Sequence, residues 1–243
     1  MDRQYCIQDG LRAYAIGDVH GELRTLLAME EAIEADLRGY SGEVHIVYLG
    51  DYINRGPDSK GVIDHLIAQR DRGDAIERTF LKGNHEAAVF EFMHDPLGSD
   101  WLEFGGLETL VSYEIDAEDP LEVARLMKDG VDETHFEFLH ELELLKVIGG
   151  YCFAHAGIDP YKPLTEQTES DLTCIREPFL SWHLHTDYTP LEKKVVHGHS
   201  IYPTPENQPH RVSVDTGCFK DHPLSAVVLE GRDVRFLQVS HKP

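Results

Sequence analysis

The chain has 243 residues, enough for one large α/β domain with a full core, and no linker-like stretch divides it. Its 44 Asp and Glu against 22 Lys and Arg give a formal charge of -22, a surface that repels nucleic-acid phosphates and anionic membranes, so neither is expected as a partner. The opening stretch MDRQYCIQDG lacks the apolar core of a signal peptide, and no apolar run reaches the roughly 20 residues of a membrane helix, so a cytoplasmic location is expected. Cys6, Cys152, Cys174 and Cys218 stand without close pairs and read as ordinary thiols, not as a zinc ribbon or disulfide framework.

Read in order, RAYAI is the first strand, and Leu23, Leu26, Leu27, Ile33 and Leu37 follow at helical spacing with Gly39 as the stop. A second strand, Glu43 to Leu49, leads into the loop LGDYINRGPDS, after which Ser59 is the expected N-cap of a helix carrying Val62, Ile63, Leu66 and Ile67. Ala75 to Leu81 is the third strand. This β-α-β-α-β series predicts parallel strands with right-handed crossovers, whose carboxyl ends lie at one edge. From residue 86 to 145 a helical excursion is expected within a single domain spanning 1–243. KVIGGYCFA then reads as a hairpin around Gly149 and Gly150. Short β runs follow at Lys194 to His197, Arg211 to Asp215, Leu224 to Leu229 and Val234 to Val239, and these are expected to build a second sheet with the hairpin.

The chemistry sits in the loops. GDVHG, GDYINRG and GNHE follow the three strands and place Asp18, Asp51 and Asn84 33 residues apart at each step. His155 in HAGI and His199 in GHS occupy similar glycine-flanked positions, and His20 belongs to the first loop. Six such oxygen and nitrogen donors suit divalent manganese, iron or zinc better than calcium, and serve two ions if one donor bridges. Asp51, from the central loop, offers one carboxylate oxygen to each ion. A water held between two such ions becomes hydroxide near neutral pH. Arg55, four residues after Asp51, can grip phosphate oxygens in a fixed fork. His85, beside Asn84, can protonate a leaving alkoxide.

In this order and at these separations, GDVHG, GDYINRG, GNHE, HAG and GHS resemble the motifs of the calcineurin-like metallophosphoesterases, and more narrowly the phosphoprotein phosphatase branch in its bacterial form. WLEFGGLETLVSYE, Trp101 to Glu114, and IREPFL are similar to bacterial members as well. The resemblance implies an α/β sandwich of two mixed β-sheets flanked by α-helices. It also implies that Asp18 and His20 bind the first metal, that Asp51 bridges, and that Asn84, His155 and His199 bind the second. Manganese is the first choice, with iron or zinc behind it. Arg176 in CIREPFL becomes the second phosphate clamp by resemblance alone, and His197 is left as a structural histidine.

One position departs from the family pattern: GDxxDRG has an acid where this chain has Asn54, and that acid orients the catalytic histidine. The amide oxygen of Asn54 is expected to accept the imidazole N–H in its place. The implied activity is that of a dinuclear-metal-dependent phosphomonoesterase, a serine/threonine protein phosphatase using metal-activated hydroxide on phosphoproteins or small phosphoesters. A diadenosine tetraphosphatase-like nucleotide hydrolase is the enzymatic alternative. A catalytically weak scaffold that binds phosphorylated ligands is the other.

Overall fold

A computed structural model describes residues 5–240. Its centre is a pair of five-stranded mixed sheets packed face to face. The first contains β1 (Leu11–Ile16), β2 (Glu43–Tyr48) and β3 (Glu77–Phe80), which run parallel and alternate with α1 (Leu23–Asp36) and α2 (Ser59–Arg70). The predicted crossover series is therefore present. Period-two alternation decides what each strand buries. Ala13, Ala15, Val47 and Leu49 face the second sheet, whereas Tyr14, Ile16, Ile46 and Tyr48 face the helices, where Leu26, Met29, Val62 and Leu66 cover them.

After β3 the chain turns into α3 (Asn84–His94), a five-residue π-helical turn (Leu102–Gly106), α4 (Leu107–Ser112), α5 (Pro120–Gly130) and α6 (Glu133–His140). The helical excursion thus follows its predicted outline, except that α6 stops at His140 because Glu143 bridges to Leu81. The second sheet begins with the predicted hairpin of β4 (Lys146–Ile148) and β5 (Tyr151–Phe153). The short helix α7 (Glu169–Cys174) precedes β6 (Lys194–His197), β7 (Glu206–Asn207) and β8 (Arg211–Ser213), which complete that sheet in the order β4-β5-β6-β8-β7.

Two expectations are corrected. The last runs, β9 (Leu224–Glu230) and β10 (Asp233–Val239), join the first sheet: β9 lies antiparallel against β1, and β10 against β9. The physical reason is that β9 is buried almost throughout, so it needs cover on both faces, and the place beside β1 provides it. The N-cap of α2 is Asp58, whose carboxylate accepts the Gly61 N–H at 2.8 Å; Ser59 is the first helical residue, and its hydroxyl accepts the Asn54 N–H instead. Among the described residues no helix is long and apolar enough to cross a membrane. The four cysteines are free, Cys152 and Cys218 buried and the other two exposed.

The turn into β3 is pinned by a two-pronged ion pair, Arg78 Nη1 and Nη2 to Asp74 Oδ1 and Oδ2 at 2.6 and 2.9 Å. The guanidinium holds the Asp74 carboxyl down to about 2. A carboxyl depressed in the folded state adds stability above its unfolded value near 3.9 and loses it as pH falls through the folded one. Asp74→Asn should therefore cost about 1 kcal/mol at pH 7. Urea titrations should show this difference from wild type shrinking between about pH 4 and 2.

Candidate active site

Loops after β1, β2, β3, β5 and β6 meet at one edge of the sandwich and carry Asp18 and His20, Asp51, Asn84 and His85, His155, and His199 respectively. Asp51 is the shared member. Its Oδ1 lies 3.4 Å from His155 Nε2, and its Oδ2 lies 3.5 Å from His20 Nε2 and 3.8 Å from His85 Nε2. Two groups of potential ligands therefore use the same carboxylate, His20–Asp51–His85 and Asp51–His155–His199, with donor atoms in each group within 4.8 Å of one another. Asn84 Oδ1 closes the second group, 3.1 Å from His155 Nε2 and 2.8 Å from His199 Nδ1. Asp18 stands just outside both groups: its two oxygens accept the His199 backbone N–H at 3.1 Å each, and the bare Cα of Gly198 leaves room for them.

The donors suit divalent cations in three respects. First, His20 and His155 donate from Nδ1 to the carbonyls of Ile53 and Leu49 at 3.0 and 2.8 Å, which turns each Nε2 toward Asp51. A backbone carbonyl is the usual support for a metal-binding imidazole. Second, the Nε2 atom of His199 is buried without a hydrogen-bond partner. Third, the cluster needs positive charge. Burial and the neighbouring Asp215 push Asp18 well above the carboxylate range, burial moves Asp215 up to about 6, and burial with Asp51 moves Glu86 up to about 7. Against burial, Asp51 and the other acids raise His155 to about 10. Asp51 itself is held well below its usual range, burial notwithstanding, by His155, His85 and His20.

Next to this cluster, Asn54 and His85 are buried together. Asn54 Nδ2 lies 2.7 Å from His85 Nδ1, and Asn54 Oδ1 accepts the hydroxyl of Thr109 at 2.7 Å. The expected arrangement, amide oxygen on imidazole, is thus reversed. Thr109 Oγ1 also accepts the Asn54 backbone N–H and lies 3.0 Å from Ser59 Oγ; with Ser59 donating to it, the Thr109 proton holds the amide oxygen on the side away from His85. Arg55 rests with Nη1 3.0 Å from His20 Nε2 and its guanidinium 4.7 Å from the ring centre of Phe219. Arg176 reaches the same cleft, about 730 Å³ in volume, whose outer wall is formed by Phe104, Tyr202, Phe219 and Lys220. His197 stays out of the cluster, bonded to the Gly198 carbonyl at 2.9 Å and edge-on to Phe179.

Sequence reasoning missed Glu86, Thr109, Asp215 and the outer aromatic wall. Glu86 and Asp215 lay in plain sight within GNHE and DTG. Thr109 and Phe104 belong to a helical segment whose approach to the site no local spacing encodes.

The family model for calcineurin-like phosphoesterases matches residues 11–230. A bis(5'-nucleosyl)-tetraphosphatase PrpE [asymmetrical] from Anoxybacillus flavithermus is 26% identical over 230 residues, covering 87% of this chain and 88% of that one. Among solved structures, one described as a diadenosine tetraphosphatase superposes with a TM-score of 0.64 at 21% identity, covering 97% of this chain and 100% of the other. The cold-active protein-tyrosine phosphatase of a psychrophilic Shewanella gives 0.63 at 15% identity, covering 98% of this chain and 83% of that one. At these identities the structures show a shared fold.

A methyl group at Gly198 would meet Asp18 Oδ1 at 2.0 Å. Gly198→Ala should displace that carboxylate and weaken manganese binding by about tenfold or more, the scale of a lost supporting contact in a metal site. Calorimetric titration with manganese reads this directly, with an unchanged far-UV circular dichroism spectrum separating it from unfolding.

Proposed function

The chain belongs to the calcineurin-like phosphoesterases, metal-dependent phosphoric-ester hydrolases, and within that family we propose that it cleaves dinucleoside polyphosphates asymmetrically in preference to phosphoserine or phosphothreonine in proteins. The observation that carries this reading is the hydrogen bond at His85. Because Asn54 offers an N–H to Nδ1, the neutral ring keeps its own proton on Nε2, the atom without a protein partner. Such a ring gives a departing oxygen a hydrogen bond without the positive charge that drives full proton transfer. A seryl or threonyl alkoxide, close in basicity to hydroxide, leaves only when protonated, since water itself has a pKa of about 15.7. A nucleotide phosphate, with a second pKa of about 6, leaves as the anion.

Two further features support the same substrate class. PrpE relatives from Anoxybacillus and Oceanobacillus align along most of the chain and carry the asymmetrical tetraphosphatase name. The cleft also combines three cations, Arg55, Arg176 and Lys220, with the exposed ring of Phe104 and the half-buried rings of Tyr202 and Phe219, a mixture suited to a polyphosphate ending in flat bases.

Two divalent ions, with manganese proposed first and iron or zinc next, would be held by Asp18, His20 and Asp51 on one side and by Asp51, Asn84, His155 and His199 on the other, supplying an activated water and positive charge opposite the phosphate. Arg55 and Arg176 orient the phosphate oxygens. His85 hydrogen-bonds the leaving oxygen through Nε2, and Asn54 with Thr109 holds that ring in place.

The manganese-loaded protein should turn over diadenosine tetraphosphate with a higher kcat/KM than a phosphoserine peptide or p-nitrophenyl phosphate, giving a monophosphate and a triphosphate. A faster phosphopeptide would return the protein-phosphatase reading, and turnover of none would leave a phospho-ligand scaffold. Asn54→Asp supplies a carboxylate that stabilises the charged imidazole. It should raise phosphoserine turnover relative to diadenosine tetraphosphate by about tenfold, below the full worth of a positioned general acid. An equal change on both substrates would remove the leaving-group argument.

A further inference from the structure

A second groove of about 420 Å³ adjoins the catalytic cleft and shares Asn84, His85 and Phe104 with it. Its volume lies within the range of roughly 300–1,000 Å³ for small-molecule sites. The two spaces differ in charge. The catalytic cleft is lined by Arg55, Arg176 and Lys220. The second groove has no Lys or Arg in its lining; it presents Glu91 and Glu169 beside Ala87, Ala88 and Thr173. Glu169 is partly offset by Lys82 at 3.3 Å, which leaves Glu91 to repel phosphate.

Phe104 stands at the junction. It is 55% exposed, and its ring is edge-on to His85 at 6.4 Å. The π-helical turn that presents it is fixed on the catalytic loop: the Arg55 N–H donates to the Gly105 carbonyl at 3.1 Å, and a Cβ at Gly105, with φ of +96°, would meet Arg55 Cγ at 2.8 Å. An aromatic face held rigidly beside the leaving-group histidine, with a polar but cation-free groove behind it, matches a nucleoside and not a phosphate chain.

Resting on the asymmetric-tetraphosphatase reading above, we propose that this second groove takes the nucleoside of the departing monophosphate, its base stacked on Phe104 and its phosphate at the junction with the catalytic cleft beside His85. The direction of bond breaking follows. The triphosphate portion needs Arg55, Arg176 and Lys220 and stays in the catalytic cleft, so the phosphorus attacked is the second from the nucleoside in the groove. The water oxygen joins that phosphorus. The bond from it to the oxygen bridging to the first phosphorus breaks, the bridging oxygen leaves with the monophosphate, and the proton lost by water passes to solvent. The water oxygen therefore ends in the nucleoside triphosphate.

Turnover of diadenosine tetraphosphate by the full-length, manganese-loaded protein in ¹⁸O-water tests this by mass spectrometry of the products. The label should appear in the triphosphate. Phe104→Leu should lower kcat/KM for diadenosine tetraphosphate and the affinity for adenosine monophosphate by about tenfold, the scale of one lost base stack, while Phe104→Trp should retain both. Label in the monophosphate, or equal behaviour of the Leu and Trp variants, would overturn the subsite while leaving the proposed activity standing. Absence of any tetraphosphate hydrolysis would instead remove the activity itself.

Discussion

The site depends on one buried carboxylate that is not among the expected ligands. Glu86, fully buried in the first turn of α3, accepts the backbone N–H groups of Asp51 and Tyr52 at 2.9 and 2.8 Å and of Gly83 at 2.9 Å. It thereby ties the loop after β2 to the loop after β3. Backbone N–H groups at the ends of parallel strands have no ladder partner and would be costly to bury alone. With a longer contact from the Ile53 N–H at 3.4 Å, Glu86 accepts four of them with one side chain. The loop that bears Asp51, Asn54 and Arg55 is consequently tied to the helix start that bears Asn84 and His85.

That clamp matters because the loops are conformationally strained. Seven non-glycine residues among those described have positive φ, and five of them, His20, Asp51, Asn54, Arg55 and His199, belong to the site. Each such residue costs on the order of 1–2 kcal/mol relative to ordinary backbone. The left-handed turns re-aim side chains that would otherwise alternate across the sheet, which is how consecutive loop residues point at one centre. Hydrogen bonds from neighbouring loops hold the turns: His20 N–H to the Asp51 carbonyl at 2.8 Å, Arg55 N–H to Gly105 at 3.1 Å, and Gly21 N–H to Tyr52 at 2.8 Å.

How much of this was legible in the sequence varies with the range of the interaction. The strand-loop-helix junctions were readable because glycine punctuation and hydrophobic period are local, and the equal spacing of Asp18, Asp51 and Asn84 followed from parallel β-α units. The destination of β9 and β10 was not, since an apolar run does not say which sheet edge it will join. Asn54 was identified as a departure, but its orientation depends on Thr109, which lies 55 residues further along. Phe104 was invisible as a site residue for the same reason: its role comes from where the π-helical turn packs, and that packing is set by Arg55 and Gly105 across the cleft.

The charge distribution connects the fold to the proposed substrate. A chain of net charge -22 repels a polyphosphate at a distance, yet at physiological ionic strength that repulsion is screened beyond about 8 Å. Inside the cleft the local balance reverses. Arg55 and Lys220 flank the ring of Phe219, at 4.7 and 5.3 Å from its centre. A guanidinium and an ammonium resting on an aromatic face keep most of their charge for a ligand, whereas a carboxylate partner would neutralise them. The acids that would compete are turned inward around Asp51 or placed beyond His85 in the second groove. An anion is therefore favoured on one side of His85 and disfavoured on the other. Under the proposed activity, a dinucleoside polyphosphate, itself symmetric, satisfies both conditions when it lies off-centre, with most of its phosphates on the cationic side and one nucleoside on the other; a symmetric array of cations would not impose that placement.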